Sequence, residues 1–336
     1  MQNTPHNTIS SEPLFSVLIA NYNNGKYLMD AIDSVRRQTY THWEIILVDD
    51  ASTDNSKELY KDLEKDERIH IYYNEENRGC GYTKRRCAEL ANGEICGFLD
   101  PDDSLINTAL EKHVAVHINN PLVSIIYSKA YLYDTNHNLI CTTELPDYST
   151  KTYFDYRGIG SMHLATYKKI FYEKTEGINP LALAGVDQDL YFKLEEVGLI
   201  YPLNEFTYNY VIMGHENSIS NSFSNYVRLW YWNMEVRRQT CVRRGLDTDH
   251  IMLLDWIEVF DNYGKAYVYN KEKAYIQRCV DEQLNACRRK AIVEVRQSLT
   301  YRVGQKVLSP LVFLKRIMRT IILPKNQVTL QKRKKE

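Results

Sequence analysis

The 336 residues carry 42 Lys and Arg against 43 Asp and Glu, with 44% hydrophobic and 25% charged side chains, the proportions of a folded chain with a substantial core. At roughly 100–200 residues per domain, that length holds two domains or one large α/β domain with an appendage, and it excludes a disulfide-stapled miniature or a disordered tract. Seven cysteines, at 80, 87, 96, 141, 241, 279 and 287, are odd in number and form no Cys-x-x-Cys pair, so a reducing setting is expected rather than a disulfide framework or a zinc cluster.

The start, MQNTPHNTISSEP, has no basic or apolar signal region, and no stretch approaches the roughly 20 apolar residues of a bilayer span. A cytoplasmic, non-spanning chain is therefore expected. Residues 285–336 hold 14 Lys and Arg and 2 Asp and Glu, or +12; with a whole-chain charge of −1, residues 1–284 carry −13.

In chain order, Phe15 to Ala20 reads as a buried strand stopped by Asn21-Tyr22-Asn23-Asn24-Gly25, with a helix from about Lys26 to Gln38. Trp43 to Val48 is a second strand, ended by Asp49-Asp50-Ala51-Ser52-Thr53-Asp54, and Asp54 or Ser56 caps a helix to about Lys65. Ile69–Tyr73 is a third strand, Gly81–Ala91 a helix, and Ile95–Leu99 a fourth strand that stops at Asp100-Pro101-Asp102-Asp103. Strands alternating with helices, each strand a continuous apolar run, predict a mostly parallel sheet covered on both faces. The polar segments all follow strand ends, the edge at which open α/β sheets bind ligands. Farther on, the pattern predicts a strand at Ser124–Tyr133, a loop-rich stretch at Pro146–Ser161, a helix at Asp187–Val197, and helical periodicity from Asn225. The expected boundary lies near residue 222.

Asp100-Pro101-Asp102 gathers carboxylates at the exit of a buried strand, where Mg²⁺ or Mn²⁺ would take oxygen ligands and keep positions for phosphates. An isolated Asp-x-Asp is a turn with a cap; here Asp49-Asp50 repeats the arrangement two strands earlier. Asn77-Arg78-Gly79-Cys80-Gly81 enters a helix whose first turns carry Lys84, Arg85 and Arg86, offering backbone N–H groups and positive charge to a diphosphate. Cations at a helix start oppose the macrodipole, so their placement wants a reason. His113 and His117 have ligand spacing but lack the Glu of His-Glu-x-x-His, so they are taken as histidines of a helix face.

Ser16-Val17-Leu18-Ile19-Ala20-Asn21-Tyr22-Asn23, Val48-Asp49-Asp50-Ala51-Ser52-Thr53-Asp54, Asn77-Arg78-Gly79, Gly93-Glu94 and Phe98-Leu99-Asp100-Pro101-Asp102-Asp103, taken in order, resemble the family-2 glycosyltransferases of GT-A fold. The resemblance is close over residues 14–115 and looser to 222. It implies an inverting transfer from a nucleotide-diphosphate sugar, usually UDP-linked, to a hydroxyl of a glycan or lipid-linked acceptor. In its terms, residues 14–115 bind the donor, 116–222 face the acceptor, and 223–336 form a helical C-terminal region. It implies that the loop holding Ala20 and Tyr22, together with Asp49, grips the nucleoside and that Lys84 lies near the diphosphate; Asp50, Asn77, Gly79 and Asp100 join them as donor-binding candidates. Asp100, Asp102 and a late His215 would hold a divalent cation, Mn²⁺ or Mg²⁺, and Asp187, with Asp189 as the other choice, would serve as base. The chain departs from the family pattern at Val186, which replaces an acid, at Lys84-Arg85 for Arg-Asn, and at Ala20-Asn21 before the Tyr-Asn pair.

From Tyr301 to Leu323, apolar residues at helical spacing interleave with Arg302, Lys306, Lys315, Arg316 and Arg319, and Pro310 interrupts the run. Such a basic amphipathic stretch in 301–336 suits either an anionic membrane surface or packing on the catalytic domain. No nucleic-acid motif accompanies the charge. Two other readings keep the nucleotide-binding sheet: a sugar-nucleotide-binding protein without turnover, and a nucleotidylyltransferase.

Overall fold

A computed structural model describes residues 9–145, 152–154, 163–212, 223–246, 256–261 and 264–269. His215, most of 146–161 and the basic stretch 301–336 lie outside them. The chain divides into two compact units, Met1–Thr240 and Cys241–Glu336.

In the first unit, β1 (Phe15–Asn21), β2 (Trp43–Asp49), β3 (Ile69–Tyr73) and β4 (Ile95–Phe98) pair in parallel in the order β3-β2-β1-β4. The apolar runs dictate this, because Val17, Leu18, Ile19, Ile45, Ile46, Leu47 and Val48 are all buried, as strands covered on both faces require. One face carries α1 (Gly25–Arg36), whose Leu28, Ala31, Ile32 and Val35 share a core with Val17, Ile19, Ile45 and Leu47. Burying each of the Leu, Ile and Val side chains contributes about 1.5–3 kcal/mol. On the same face α2 (Ser56–Leu63) joins β2 to β3 and adds Tyr60 and Leu63 to this core, while α3 (Cys80–Leu90) packs on β1 and β2.

Beyond β4 the sheet becomes mixed. β8 (His163–Lys168) runs antiparallel to β4, β6 (Val123–Tyr133) antiparallel to β8, and β9 (Leu199–Val211) parallel to β6. The short β5 (Ser104–Leu105) edges β9, and β7 (Leu139–Thr142) pairs with β6. Three helices complete this half: α4 (Ala109–Asn119), the single turn α5 (Lys169–Tyr172) and α6 (Val186–Val197). Parallel pairing thus holds among the first four strands and again between β6 and β9, with α6 in the crossover before β9, while β8 is antiparallel to both of its neighbours.

Under this half lies a buried polar seam. His113 Nδ1 and His117 Nε2 both meet Thr166 Oγ1 at 2.9 Å, and His113 Nε2 meets Thr207 Oγ1 at 3.3 Å. Thr207 in turn bonds Ser128. Burial pushes the His113 imidazole down to about 3 and that of His117 well below its ordinary value, so both are neutral. These are histidines of a helix face, as read from the sequence, with hydroxyl partners.

The helix α7 (Phe223–Arg243) follows β9. In the second unit, β10 (Trp256–Asp261) and β11 (Gly264–Tyr269) form an antiparallel hairpin where helical periodicity was expected. Alternating Trp, Ile, Val and Tyr around Asp261-Asn262-Tyr263-Gly264 favour the pleat over the helix. Among the described residues no helix is long and apolar enough to cross a membrane.

Candidate active site

The C-terminal ends of β1, β2 and β4 converge with the start of α6. Asn21, fully buried, donates through Nδ2 to Tyr60 Oη at 2.8 Å and Ser56 Oγ at 3.0 Å. Asp49, also fully buried, accepts from Tyr60 Oη at 2.5 Å and from the Ser52 N–H at 2.9 Å. Asp50 accepts from Asn74 Nδ2 at 2.7 Å and from the Arg78 and Gly79 N–H groups at 2.8 and 2.9 Å. The pair expected to grip a nucleoside is therefore built inward. Asp49 shapes the loop after β2, and Asp50 clamps the turn before α3. Ala20 is half-buried and Tyr22 exposed at the mouth of β1.

The glycine turn also differs from the expectation of open N–H groups. Gly79, at φ +86°, starts α3, and its N–H goes to Asp50 with a longer contact to Asn77 Oδ1 at 3.2 Å. The Gly81 N–H donates to Ala182 O at 2.9 Å. A Cβ on Gly81 would lie 2.4 Å from that oxygen and 2.5 Å from Asn179 O, so glycine lets the 179–182 loop seat against α3. With those donors committed, the positive charge of the helix start remains.

That charge is distributed with a purpose. Arg85 spends its guanidinium on Glu89 and on the carbonyls of Glu176 and Ile178, and Arg86 on Tyr73 O and Asn74. Lys84, nearly buried, reaches Asp187 Oδ1 at 2.9 Å and Asp100 Oδ1 at 3.2 Å. Burial alone would lower the Lys84 ammonium, but the two carboxylates outweigh it and hold it well above the ordinary value. Asp100 and Asp187 are each about half exposed, at 47% and 50%, so this cluster faces solvent on its acidic side.

The other acids divide sharply. Asp102, beside Asp100, is pushed up to about 6 by burial and by that neighbour's charge, and its carboxylate has no side-chain partner among the described residues. Two close carboxylates, one lacking a partner, fit a divalent cation by the chemistry of their oxygens. Among the described residues no three metal-ligating side chains are gathered, and His215 lies outside them. Asp103 is a buried anchor, accepting from Tyr208 Oη at 2.7 Å and the Val211 N–H at 2.8 Å.

Asp189 does not join the site. It is fully buried, accepting through Oδ2 from Lys193 Nζ and the Asn179 N–H at 2.8 Å each. Its side chain is sealed from solvent and bonded within α6 and the loop before it, which is the placement of a structural acid rather than of a base at an open face. Val186, at the position of the missing acid, is buried and apolar. His163, unmarked by any sequence motif, stands near the cluster. Burial lowers its imidazole while Asp100 and Asp187 pull the other way. No local pattern singles it out, since β8 reaches the site only through pairing with β4 and β6.

Residues 16–172 match the family model described as Glycosyl transferase family 2. Over 104 residues the chain is 42% identical to a putative teichuronic acid biosynthesis glycosyltransferase, TuaG, of Bacillus subtilis, which is 31% of this chain and 41% of that protein. Over 271 residues it is 26% identical to a chondroitin synthase of Pasteurella multocida, covering 78% of this chain and 26% of the relative. The chain thus spans well under half the length of these curated relatives. Among solved structures, TarS of S. aureus in complex with UDP-GlcNAc superposes with a TM-score of 0.57 at 17% identity, covering 70% of this chain and 68% of that one. A mannosyltransferase of Pyrobaculum calidifontis in complex with GDP-Man and Mn²⁺ gives a TM-score of 0.51 at 17% identity, covering 72% and 68%. These likenesses share the fold.

Proposed function

We propose, from the match of residues 16–172 to the model of glycosyl transferase family 2, that the chain is a member of that family and moves a sugar from a nucleotide-diphosphate donor to a hydroxyl of a glycan or lipid-linked acceptor. The observation that carries this reading is the Lys84 bridge between Asp100 and Asp187. It couples the acidic turn after β4 to the start of α6, at the strand edge where such sheets bind ligands. The UDP, UDP-GlcNAc and GDP-Man of the superposed structures support a sugar nucleotide as donor.

In this mechanism Ala20 and Tyr22 border the nucleoside, with Asp49 and Asp50 holding the loops that frame it. Asp100, Asp102 and His215 would hold Mn²⁺ or Mg²⁺, which when bound neutralises charge on the diphosphate. Lys84 lies where negative charge develops as the anomeric C–O bond breaks, a placement that lowers the barrier. Asp187 takes the proton of the acceptor hydroxyl as its oxygen attacks the anomeric carbon from the opposite face. The bonding electrons leave with the nucleoside diphosphate, and the anomeric centre inverts. Residues 301–336 would hold the enzyme to an anionic membrane surface carrying a lipid-linked acceptor.

The test incubates the full chain with Mn²⁺ and a panel of UDP-, GDP- and dTDP-sugars, following nucleoside diphosphate. Donor-selective, metal-dependent release is expected, falling by on the order of 10²-fold or more in Asp102→Ala. Release of pyrophosphate would point to nucleotidylyl transfer. Absence of both release and calorimetric donor binding would contradict the reading.

A further inference from the structure

On the side of the site formed by β8 and β9, two rings stand side by side. The His163 imidazole lies 4.8 Å from the Tyr210 ring, tilted at 36°, and 5.5 Å from Tyr208, stacked at 16°. Tyr208 is fixed behind them, because its hydroxyl donates to Asp103 at 2.7 Å. The Val211 N–H donates to the same carboxylate at 2.8 Å, so Asp103 grips β9 on both sides of Tyr210. The acidic turn that carries Asp100 and Asp102 therefore sets the position of this aromatic pair.

The polar atoms of the pair are uncommitted. Among the described residues, neither ring nitrogen of His163 nor the Tyr210 hydroxyl has a hydrogen-bond partner, and both residues are half-buried rather than sealed. The charges felt by His163 are those of Asp100 and Asp187, and Tyr210 is held up by burial and by Asp103, Asp100, Asp102 and Asp187. Half-buried rings with a free polar edge, beside carboxylates, suit the alternating C–H and O–H surface of a pyranose. The core and Asp103 account for Tyr208, and Tyr210 packs in part against the same core; the polar edges of His163 and Tyr210 keep donors and acceptors to spare.

We propose that His163 and Tyr210 are the acceptor subsite of this chain, a wall that takes the pyranose bearing the attacking hydroxyl and presents that hydroxyl to Asp187. The assignment rests on the transferase reading above. The sugar lies against the Tyr210 ring, and one of its hydroxyls bonds a His163 nitrogen, which fixes the azimuth of the neighbouring hydroxyl that reacts. The reaction itself is unchanged by this contact: the proton goes to Asp187 and the leaving electrons to the nucleoside diphosphate. His163 contributes position, and position is a large part of what turns an encounter into a reaction.

The test uses the full chain with Mg²⁺, a UDP-sugar panel, and the p-nitrophenyl glycosides of glucose, N-acetylglucosamine and glucuronic acid as acceptor probes, with UDP calorimetry alongside. At least one glycoside is expected to stimulate UDP release by the wild type. His163→Ala and Tyr210→Ala are expected to raise the KM for that glycoside about tenfold, the scale of one lost hydrogen bond or ring contact. UDP affinity should stay unchanged, and His163→Gln should recover part of the loss. An unchanged glycoside KM in both variants, or loss of UDP binding in step with it, would overturn the subsite. So would failure of every glycoside to stimulate a wild type that binds UDP, whereas a wild type that binds no sugar nucleotide would sink the transferase reading instead.

Discussion

Asp187 and Asp189 stand two residues apart on α6, each bonded to a lysine, and they occupy opposite worlds. Asp187 meets Lys84 from α3, and its carboxylate is half open to solvent. Asp189 meets Lys193 one turn along its own helix, and both are sealed, with side chains 0% and 4% exposed. The first pair joins distant elements across 103 residues at a ligand-binding edge; the second braces α6 and the loop before it, with Lys193 also donating to Gly177 O at 2.7 Å. An Asp–Lys contact is thus no mark of chemistry in itself. What separates the two is whether the acid keeps an open face.

The sealed pair should show the larger stability effect. Lys193→Met would leave Asp189 charged and buried, a loss of about 3–5 kcal/mol by the usual cost of orphaning one partner, read as a lower urea midpoint. Double replacement of Asp189 and Lys193 by Leu and Met should recover much of that loss, which would sharpen the contrast with the open pair. Next in size, Gly81→Ala forces a methyl against Ala182 O and Asn179 O and should cost about 1–3 kcal/mol as an overpacked contact. Because it moves the loop that also binds Asp189, it should disturb the site as well, raising donor KM. An Ala variant as stable as the wild type would show that the loop has room to shift.

The smallest effect per step is a pH dependence away from both pairs. His113 and His117 are held neutral by burial, His113 down to about 3, while in the unfolded chain they titrate near 6.5. Between those values the unfolded state binds more protons, so stability falls as pH drops through that window, by up to ~1.4 kcal/mol per pH unit for each histidine. Above pH 7 neither contributes a slope. Urea midpoints of wild type and His113→Gln across pH 4–7.5 check this; a parallel dependence in both would remove His113 from the account.

The parallel half of the sheet is legible in the chain because its signal is local. Phe15–Ala20, Trp43–Val48 and Ile69–Tyr73 are short apolar runs bounded by turn residues, and β1, β2 and β3 fall on them within a residue. In the mixed half β6 falls on the expected run Ser124–Tyr133 within a residue, but β8 and β9 are hidden. β9 contains Pro202, Asn204 and Glu205 and shifts register against β6 at Ser128 and Lys129, so no alternation survives to be read. Lys84, Asp100, Asp102 and Asp187 are legible because their order resembles a known family. Asp103 was visible only as one more turn acid; its partners Tyr208 and Val211 lie over a hundred residues away. The inward turn of Asp49 and Asp50 depends on Tyr60 and Asn74, and nothing in the Asp-Asp pair foretells which way it points.

The most direct test of the central claim is turnover and stability measured together for Asp187→Asn and Asp189→Asn. The account predicts that Asp187→Asn loses on the order of 10²–10⁴ in nucleoside diphosphate release with its urea midpoint close to wild type. Asp189→Asn should keep most of its turnover per folded molecule while its midpoint falls. The reverse pattern, with activity lost in a stably folded Asp189→Asn and retained in Asp187→Asn, would contradict it.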